Sequence, residues 1–444
     1  MKQLKNPLPR LKKAFAGLFD RATGYVRGVG RQTDEILSGE PIDFSAPSIP
    51  YYENLAARLG FARVVLYMVL LVFVVVTVIS NHRLITYENL YYLAKDIGAA
   101  SQTAKAQADS LSYPISSKGS DFALYRGGLV ISGGEVVTAM SASGRQTLSV
   151  NVAYADPCVR ASDKFCLSFG RGEKSFSVYN AFVQVHTETT DYPVYDAAVG
   201  DNGNFAIVTR SRDYKSEVLL YDGNMEKLAN YHLNGYVTGI SMNQAGDRLG
   251  VVSAEAENGV WVTKVTVIRI GNRISQSTAT VTGALGSTCG FVSDDRLAVI
   301  LTDRVMVVNS DATVTGEQIF EGTTPTLAAV GRGGVAILFE SGSDLSTSIL
   351  TVYDRNARES YSMTLDAAHP ITRAGRPTEL ELAEDTLFLR AGNSLFRVSN
   401  NGDRIASAAV SHDTLAILPE SGDDVMVCTP AYAYRLNADD FTQS

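Results

Sequence analysis

DAAVGDNGNFAIVT, residues 196–209, reads as an apolar strand, a polar turn of Asp, Asn and Gly, and a second apolar strand. The unit recurs as GISMNQAGDRLGVVS (239–253), GFVSDDRLAVILT (290–302), AAVGRGGVAILFE (328–340), ELELAEDTLFLRA (379–391) and AILPESGDDVMVCT (416–429). With the second residue of each second strand as a ruler, Ala206, Gly250, Ala298, Ala336, Phe388 and Met426 follow at spacings of 44, 48, 38, 52 and 38 residues. Weaker copies around Val130 and Cys166 extend the series backward by 36 and 40, so eight copies fit after residue 111.

A third strand ending in a turn follows each second strand, as in EVLLYDGN (217–224), TVIRIGN (266–272), MVVNSD (306–311), TVYDRN (351–356) and LFRVSNNGD (395–403). A fourth follows in KLANYHL (227–233) and RIASAAV (404–410). Four antiparallel strands per about 42 residues is the unit of a β-propeller. Second strands such as RLAVIL and GVAILF are apolar at consecutive positions, as strands covered on both faces must be. A β-sandwich would show fewer strands and cleaner alternation. The expected fold is therefore all-β, an eight-bladed β-propeller over residues 111–444, with seven blades as the alternative. The eighth unit lacks a fourth strand, because eight residues remain after AYAYRL (431–436). Leu111–Arg126, containing DFALYR, is expected to pair there and close the ring.

The repeats resemble the WD-repeat and quinoprotein-like propellers. Tyr221–Asp222 and Tyr353–Asp354 stand at the ends of third strands, where WD repeats carry Trp-Asp, and SASGRQTLSV (141–150) resembles the quinoprotein turn and fourth strand. Leu148 replaces the docking tryptophan of that motif, and the chain's single tryptophan is Trp261. The resemblance implies an architecture and no activity.

Upstream of the repeats, VVLYMVLLVFVVVTVI (64–79) holds sixteen residues without a charge. At about 1.5 Å per residue, the run widened to residues 59–80, with Arg63 snorkelling, covers a hydrocarbon core of about 30 Å. A cleaved signal peptide is disfavoured, since 63 residues precede the run. Residues 1–63 carry ten Lys/Arg against six Asp/Glu, which predicts a cytoplasmic amino terminus and an extracellular propeller. The domain plan is thus a basic cytoplasmic tail (1–58), a transmembrane helix (59–80), a short helix and stalk (81–110) and the propeller (111–444). In the tail, Leu11, Phe15, Leu18, Phe19 and Ala22 mark one face of a basic amphipathic helix, and residues 32–58 read as a flexible linker. This layout is similar to that of uncharacterised bacterial single-pass membrane proteins bearing an extracellular propeller.

Residues 64–444 hold 29 basic and 41 acidic residues, a surface that repels nucleic acid. His186, His232, His369 and His412 share no metal-ligand spacing, and no nucleophile elbow, zincin helix or phosphate loop occurs. The recurring acids Asp201, Asp247, Asp294–Asp295, Glu384–Asp385 and Asp423–Asp424 read as turn chemistry. No catalytic, metal or cofactor-binding residue is assigned, and no cofactor is expected. Cys158 and Cys166 flank Ser162–Asp163 symmetrically and form the candidate disulfide pair, whereas Cys428 reads as a buried thiol. The expected function is a non-enzymatic binding or scaffold protein of the bacterial cell envelope, with the bilayer and a protein or cell-wall partner. A single-pass sensor, or more remotely a quinoprotein-like enzyme, is the alternative.

Overall fold

The computed structural model describes residues 59–60, 62–73, 75, 112–115, 120–271, 273–341, 344–384, 386–399, 401–420 and 423–443. The chain divides into two compact units, Met1–Leu93 and Ala94–Ser444. In the first, residues 62–73 are helical and leave Leu66, Val69 and Phe73 exposed at 65, 61 and 68%. Among the described residues no helix is long and apolar enough to cross a membrane. The remainder of the expected span after Val75 lies outside the described residues, as do the tail helix, the linker and the stalk.

The second unit consists of eight antiparallel sheets. Seven blades are built in chain order, innermost strand first. Blade 1 is Asp121–Tyr125, Gly128–Ser132, Val136–Met140 and Gln146–Asn151. Blade 2 is Pro157–Ala161, Cys166–Gly170, Ser175–Tyr179 and Gln184–Thr189, and blade 3 is Val194–Val199, Phe205–Arg210, Ser216–Tyr221 and Lys227–Leu233. Blade 4 is Tyr236–Met242, Arg248–Glu257, Val260–Arg269 and Ser275–Thr282, and blade 5 is Gly286–Ser293, Arg296–Leu301, Arg304–Asn309 and Val314–Ile319. Blade 6 is Thr324–Gly331, Gly334–Ser341, Asp344–Asp354 and Glu359–Leu365, and blade 7 is Pro377–Leu382, Thr386–Ala391, Ser394–Ser399 and Ile405–Ala409. All eight ruler residues fall on second strands. The expected eight blades hold, and the seven-bladed alternative falls.

Blade 8 is assembled from both ends of the unit. Ala416–Pro419, Val425–Cys428 and Tyr432–Leu436 are completed by Ser112–Pro114, with Ser112 opposite Tyr434 and Pro114 opposite Tyr432. The closing strand thus lies within the expected stretch, but DFALYR does not form it. That segment is the innermost strand of blade 1, because its apolar residues are needed under Gly128–Ser132. The last residues also find an edge. Thr442–Gln443 adds a fifth strand to blade 7 beside Ile405–Ala409, and Phe441 is buried against Phe388 with Arg397 over its ring.

Burial explains the apolar runs. In blade 5, Leu297, Val299 and Leu301 pack with Val252 and Val265 of blade 4, while the intervening Ala298 and Ile300 pack with Val335 and Ile337 of blade 6. Alternate side chains enter opposite interfaces, so every position is apolar. At about 1.5–3 kcal/mol per fully buried large aliphatic side chain, these interfaces hold the ring. Outer strands such as Ser275–Thr282 alternate between half-buried and exposed.

The Tyr-Asp dipeptides have a structural role. Tyr221 is buried and donates to Glu188 of blade 2 at 2.9 Å, while the Asp222 carboxylate accepts from the amides of Asn224 and Glu226 at 2.9 and 2.8 Å. Asp354 repeats this with Asn356 and Arg358 at 2.7 and 2.9 Å. Burial pulls its pKa upward, yet these backbone N–H groups hold it below the ordinary aspartate value.

Candidate binding site at the channel mouth

The innermost strands run side by side toward one end of the channel, where their first turns surround a cavity of about 710 Å³. Seven of the eight blades contribute to its wall. Its lining includes Met242, Phe291, Val330 and Leu382, each packed against an interblade cluster, together with Asp201, Asp294, Arg332, Glu381, Glu384 and Glu420.

The rim is stitched together across blades. Arg332 of blade 6 reaches Gln244 of blade 4 and Asp294 of blade 5, the latter at 3.3 Å. Asp201 accepts from the Asp163 amide of blade 2 at 2.9 Å, and Asn204 donates to the Gly246 carbonyl of blade 4 at 2.9 Å. Asp423 accepts from Thr386 at 2.8 Å and faces Arg397 at 3.3 Å. The acidic turns therefore couple neighbouring blades as well as shaping hairpins. Asp385 lies outside the described residues. Gly331 and Gly333 lay the blade 6 turn directly against the Leu382 and Glu384 carbonyls, where a Cβ would overlap backbone. Gly331→Ala is expected to cost about 1–3 kcal/mol, read as a lowered urea midpoint; an unchanged midpoint would mean that the blade 6–7 contact yields freely.

Two wall carboxyls, Glu381 and Glu420, and the nearby Glu379 sit above the ordinary range because they are desolvated. Glu420 is held by Arg435 at 2.8 Å, and Glu379, just below the rim, by Arg390 at 3.2 Å and the Ile417 amide at 2.8 Å; each is raised by burial against these partners. Glu381 has no hydrogen-bond or ion-pair partner among the described residues. Burial first, and the charge of Glu379 second, push it up to about 7. Elsewhere along the channel, Arg160 of blade 2 bridges Asp121 of blade 1 and Asp196 of blade 3 at 3.5 and 2.8 Å.

The candidate disulfide pair is separated. Both thiols are free and buried. The hairpin register sets Cys158 opposite Phe169 and Cys166 opposite Ala161, so the turn centres between Asp163 and Lys164 and the two cysteines are three rungs apart. An odd offset sends them to opposite faces. Cys158 packs with blade 3 and Cys166 with blade 1. Burial raises the Cys166 and Cys428 thiols to about 12. The histidines lie apart. His186 pairs with Glu188 at 3.3 Å, His232 faces Glu217 at 3.6 Å, and His369 caps the short helix Pro370–Ala374 by accepting from the Ile371 amide. Among the described residues no cluster of His, Cys, Asp and Glu is arranged to hold a metal ion.

Residues 103–435, three quarters of the chain, match a family of unknown function (DUF5711). No curated protein matches the chain. Among solved structures, apo AztD from Citrobacter koseri is similar at 12% identity, TM-score 0.47, over 67% of this chain and 86% of that one. Kluyveromyces lactis Hsv2 is similar at 11% identity, TM-score 0.40, over 64% and 93%. The propeller domain of Myceliophteria thermophila Cps50 (Swd1) is similar at 8% identity, TM-score 0.39, over 64% and 97%. At such scores the propeller assignment rests on the chain's own eight sheets.

Proposed function

We propose that this chain, which belongs to that family of unknown function, is a membrane-anchored extracellular β-propeller acting as a non-enzymatic binding or scaffold protein of the bacterial cell envelope. The observation that carries the reading is a complete ring whose channel ends in an open, mixed polar and apolar mouth, in a chain that also presents a helix with uncovered apolar side chains. Exposed Leu66, Val69 and Phe73 are costly in water and favourable in lipid. The basic residues before them supply the orientation signal. Residues 1–58 are then cytoplasmic, 59–80 span the bilayer, and the propeller stands outside.

Protease added to intact protoplasts is expected to remove residues after Arg83 and spare the tail, read with antibodies to each end. Digestion of the tail with the propeller protected would overturn the topology. Crosslinking of the embedded protein followed by affinity purification is expected to return one specific envelope partner.

A further inference from the structure

The exposed aromatic side chains of the ring are gathered at one end. Turns between first and second strands surround the mouth, and neighbouring strands run in opposite directions. The far end therefore carries the starts of first strands, the turns between second and third strands, and the ends of fourth strands. Among the described residues of the ring, five aromatic side chains are exposed, Tyr195, Tyr214, Tyr236, Trp261 and Tyr432, and all five lie at the far end. Tyr195 and Tyr236 stand at the starts of the first strands of blades 3 and 4. Tyr214 sits in the turn between Arg210 and Ser216, and Trp261 and Tyr432 lie at the starts of the third strands of blades 4 and 8. Exposed Val260, Ile319 and Leu415 are there too, whereas the exposed large apolar residues at the mouth end are Val185, Leu228 and Val314, at the starts of fourth strands.

Cations accompany the rings. The Arg210 guanidinium lies 5.4 Å from the Tyr195 ring, and the Lys215 ammonium of blade 3 lies 5.6 Å from the Tyr236 ring of blade 4, which joins the two blades into one patch. Arg210, Arg212 and Lys215 are exposed and have no carboxylate partner among the described residues, and their turn adds one acid, Asp213. Tyrosine and tryptophan combine an apolar body with a polar tip, which suits the layer where acyl chains meet headgroups, and cations between them match lipid phosphates. Tyr432 and Leu415 stand on blade 8, across the eight-bladed ring from blade 4, so a plane meets both groups where a compact partner would meet one. The tether allows this contact. Residues 76–111 separate helical Val75 from Ser112, and at up to about 3.3 Å each they reach on the order of 100 Å. Ser112 opens the outermost strand of blade 8, so the chain joins the ring at its rim and leaves the far end uncovered.

We propose that the end of the propeller opposite the mouth docks on the bilayer surface, with Tyr195, Tyr236 and Trp261 in the headgroup layer and Arg210 and Lys215 at lipid phosphates. The mouth then faces away from the membrane. The inference rests on the membrane-anchored reading of the chain. Trp261 is the only tryptophan and 52% exposed, so its fluorescence reports the contact directly. The test reconstitutes the full chain into vesicles of phosphatidylcholine and phosphatidylglycerol at about three to one, with and without bromine on the upper acyl chain of the phosphatidylcholine. Brominated lipid is expected to quench Trp261 about twofold, and Tyr195→Ser combined with Tyr236→Ser to remove at least about half of that quenching. Val314→Ser, at the mouth end, should leave it unchanged. Emission indifferent to bromine overturns the docking, and a blue shift without quenching does so too, because a second copy or another protein then covers Trp261. Quenching that persists in full in the double variant, with its melting curve intact, also overturns it. Flotation of the same vesicles after a high-salt wash reads the anchor separately: a chain that floats with Trp261 unquenched loses the docking and keeps the proposed function, and a chain that does not float loses both.

Discussion

A chain beginning at Ser120 keeps every strand of blade 1, yet it is expected to melt about 5–10 °C below one beginning at Gln107 and to aggregate on heating. The two differ by the strand Ser112–Pro114. Tyr113 is 1% exposed and Ile115 8%, packed among Phe122, Leu129, Met140, Met426 and Cys428 at the junction of blades 8 and 1. The Tyr113 hydroxyl also donates to the Ala142 carbonyl of blade 1 at 3.3 Å. Losing both side chains removes about 3–6 kcal/mol of burial and leaves Tyr432–Leu436 as an open edge. The comparison isolates closure from blade integrity, which a start at Val130 would confound by removing the innermost strand of blade 1. Equal melting curves by circular dichroism would show that the ring holds without its terminal strand. The carboxyl-terminal strand would then be the next candidate clasp, since Phe441 and Thr442–Gln443 tie the other end of the chain to blade 7.

The eight blades were legible because second strands have two covered faces and so cannot hide their composition. Three-residue Ser112–Pro114 has neither alternation nor an apolar run, and only its partner's unpaired edge calls for it. The cysteine arithmetic failed for a related reason. Symmetry about a turn assumes where the turn is centred, and an error of one and a half residues in the centre becomes three rungs of register. Glu381 was visible in principle. The residues paired with the eight rulers are Ala123, Ala161, Ala198, Ser241, Gly290, Ala329, Glu381 and Leu418, so a carboxylate interrupts a column of mostly small residues.

That interrupted column sets a titratable carboxyl in the wall of the mouth. Glu381 protonates near 7 in the folded chain, because burial and then Glu379 disfavour its charge, against 4.5 for an unhindered glutamate. The folded state therefore holds a proton that the unfolded state releases between those values. Below about pH 4.5 the site costs nothing; the cost grows through the interval and is complete above about pH 7, where a shift of this size corresponds to about 3 kcal/mol. Stability should fall as pH rises across this window, and burial of Glu379 and Glu420 acts in the same direction. His369 acts oppositely. Its pKa is lowered by burial, so it favours the folded state as pH rises through its range. The wild-type profile mixes these contributions, and the difference between wild type and Glu381→Gln separates them. The glutamine keeps the shape of a protonated carboxyl without the charge. It is expected to match wild type in urea denaturation at pH 4 and to exceed it by about 3 kcal/mol at pH 8. A constant difference between the two pH values would mean that Glu381 ionises freely at the mouth, as a carboxylate in contact with bulk water does.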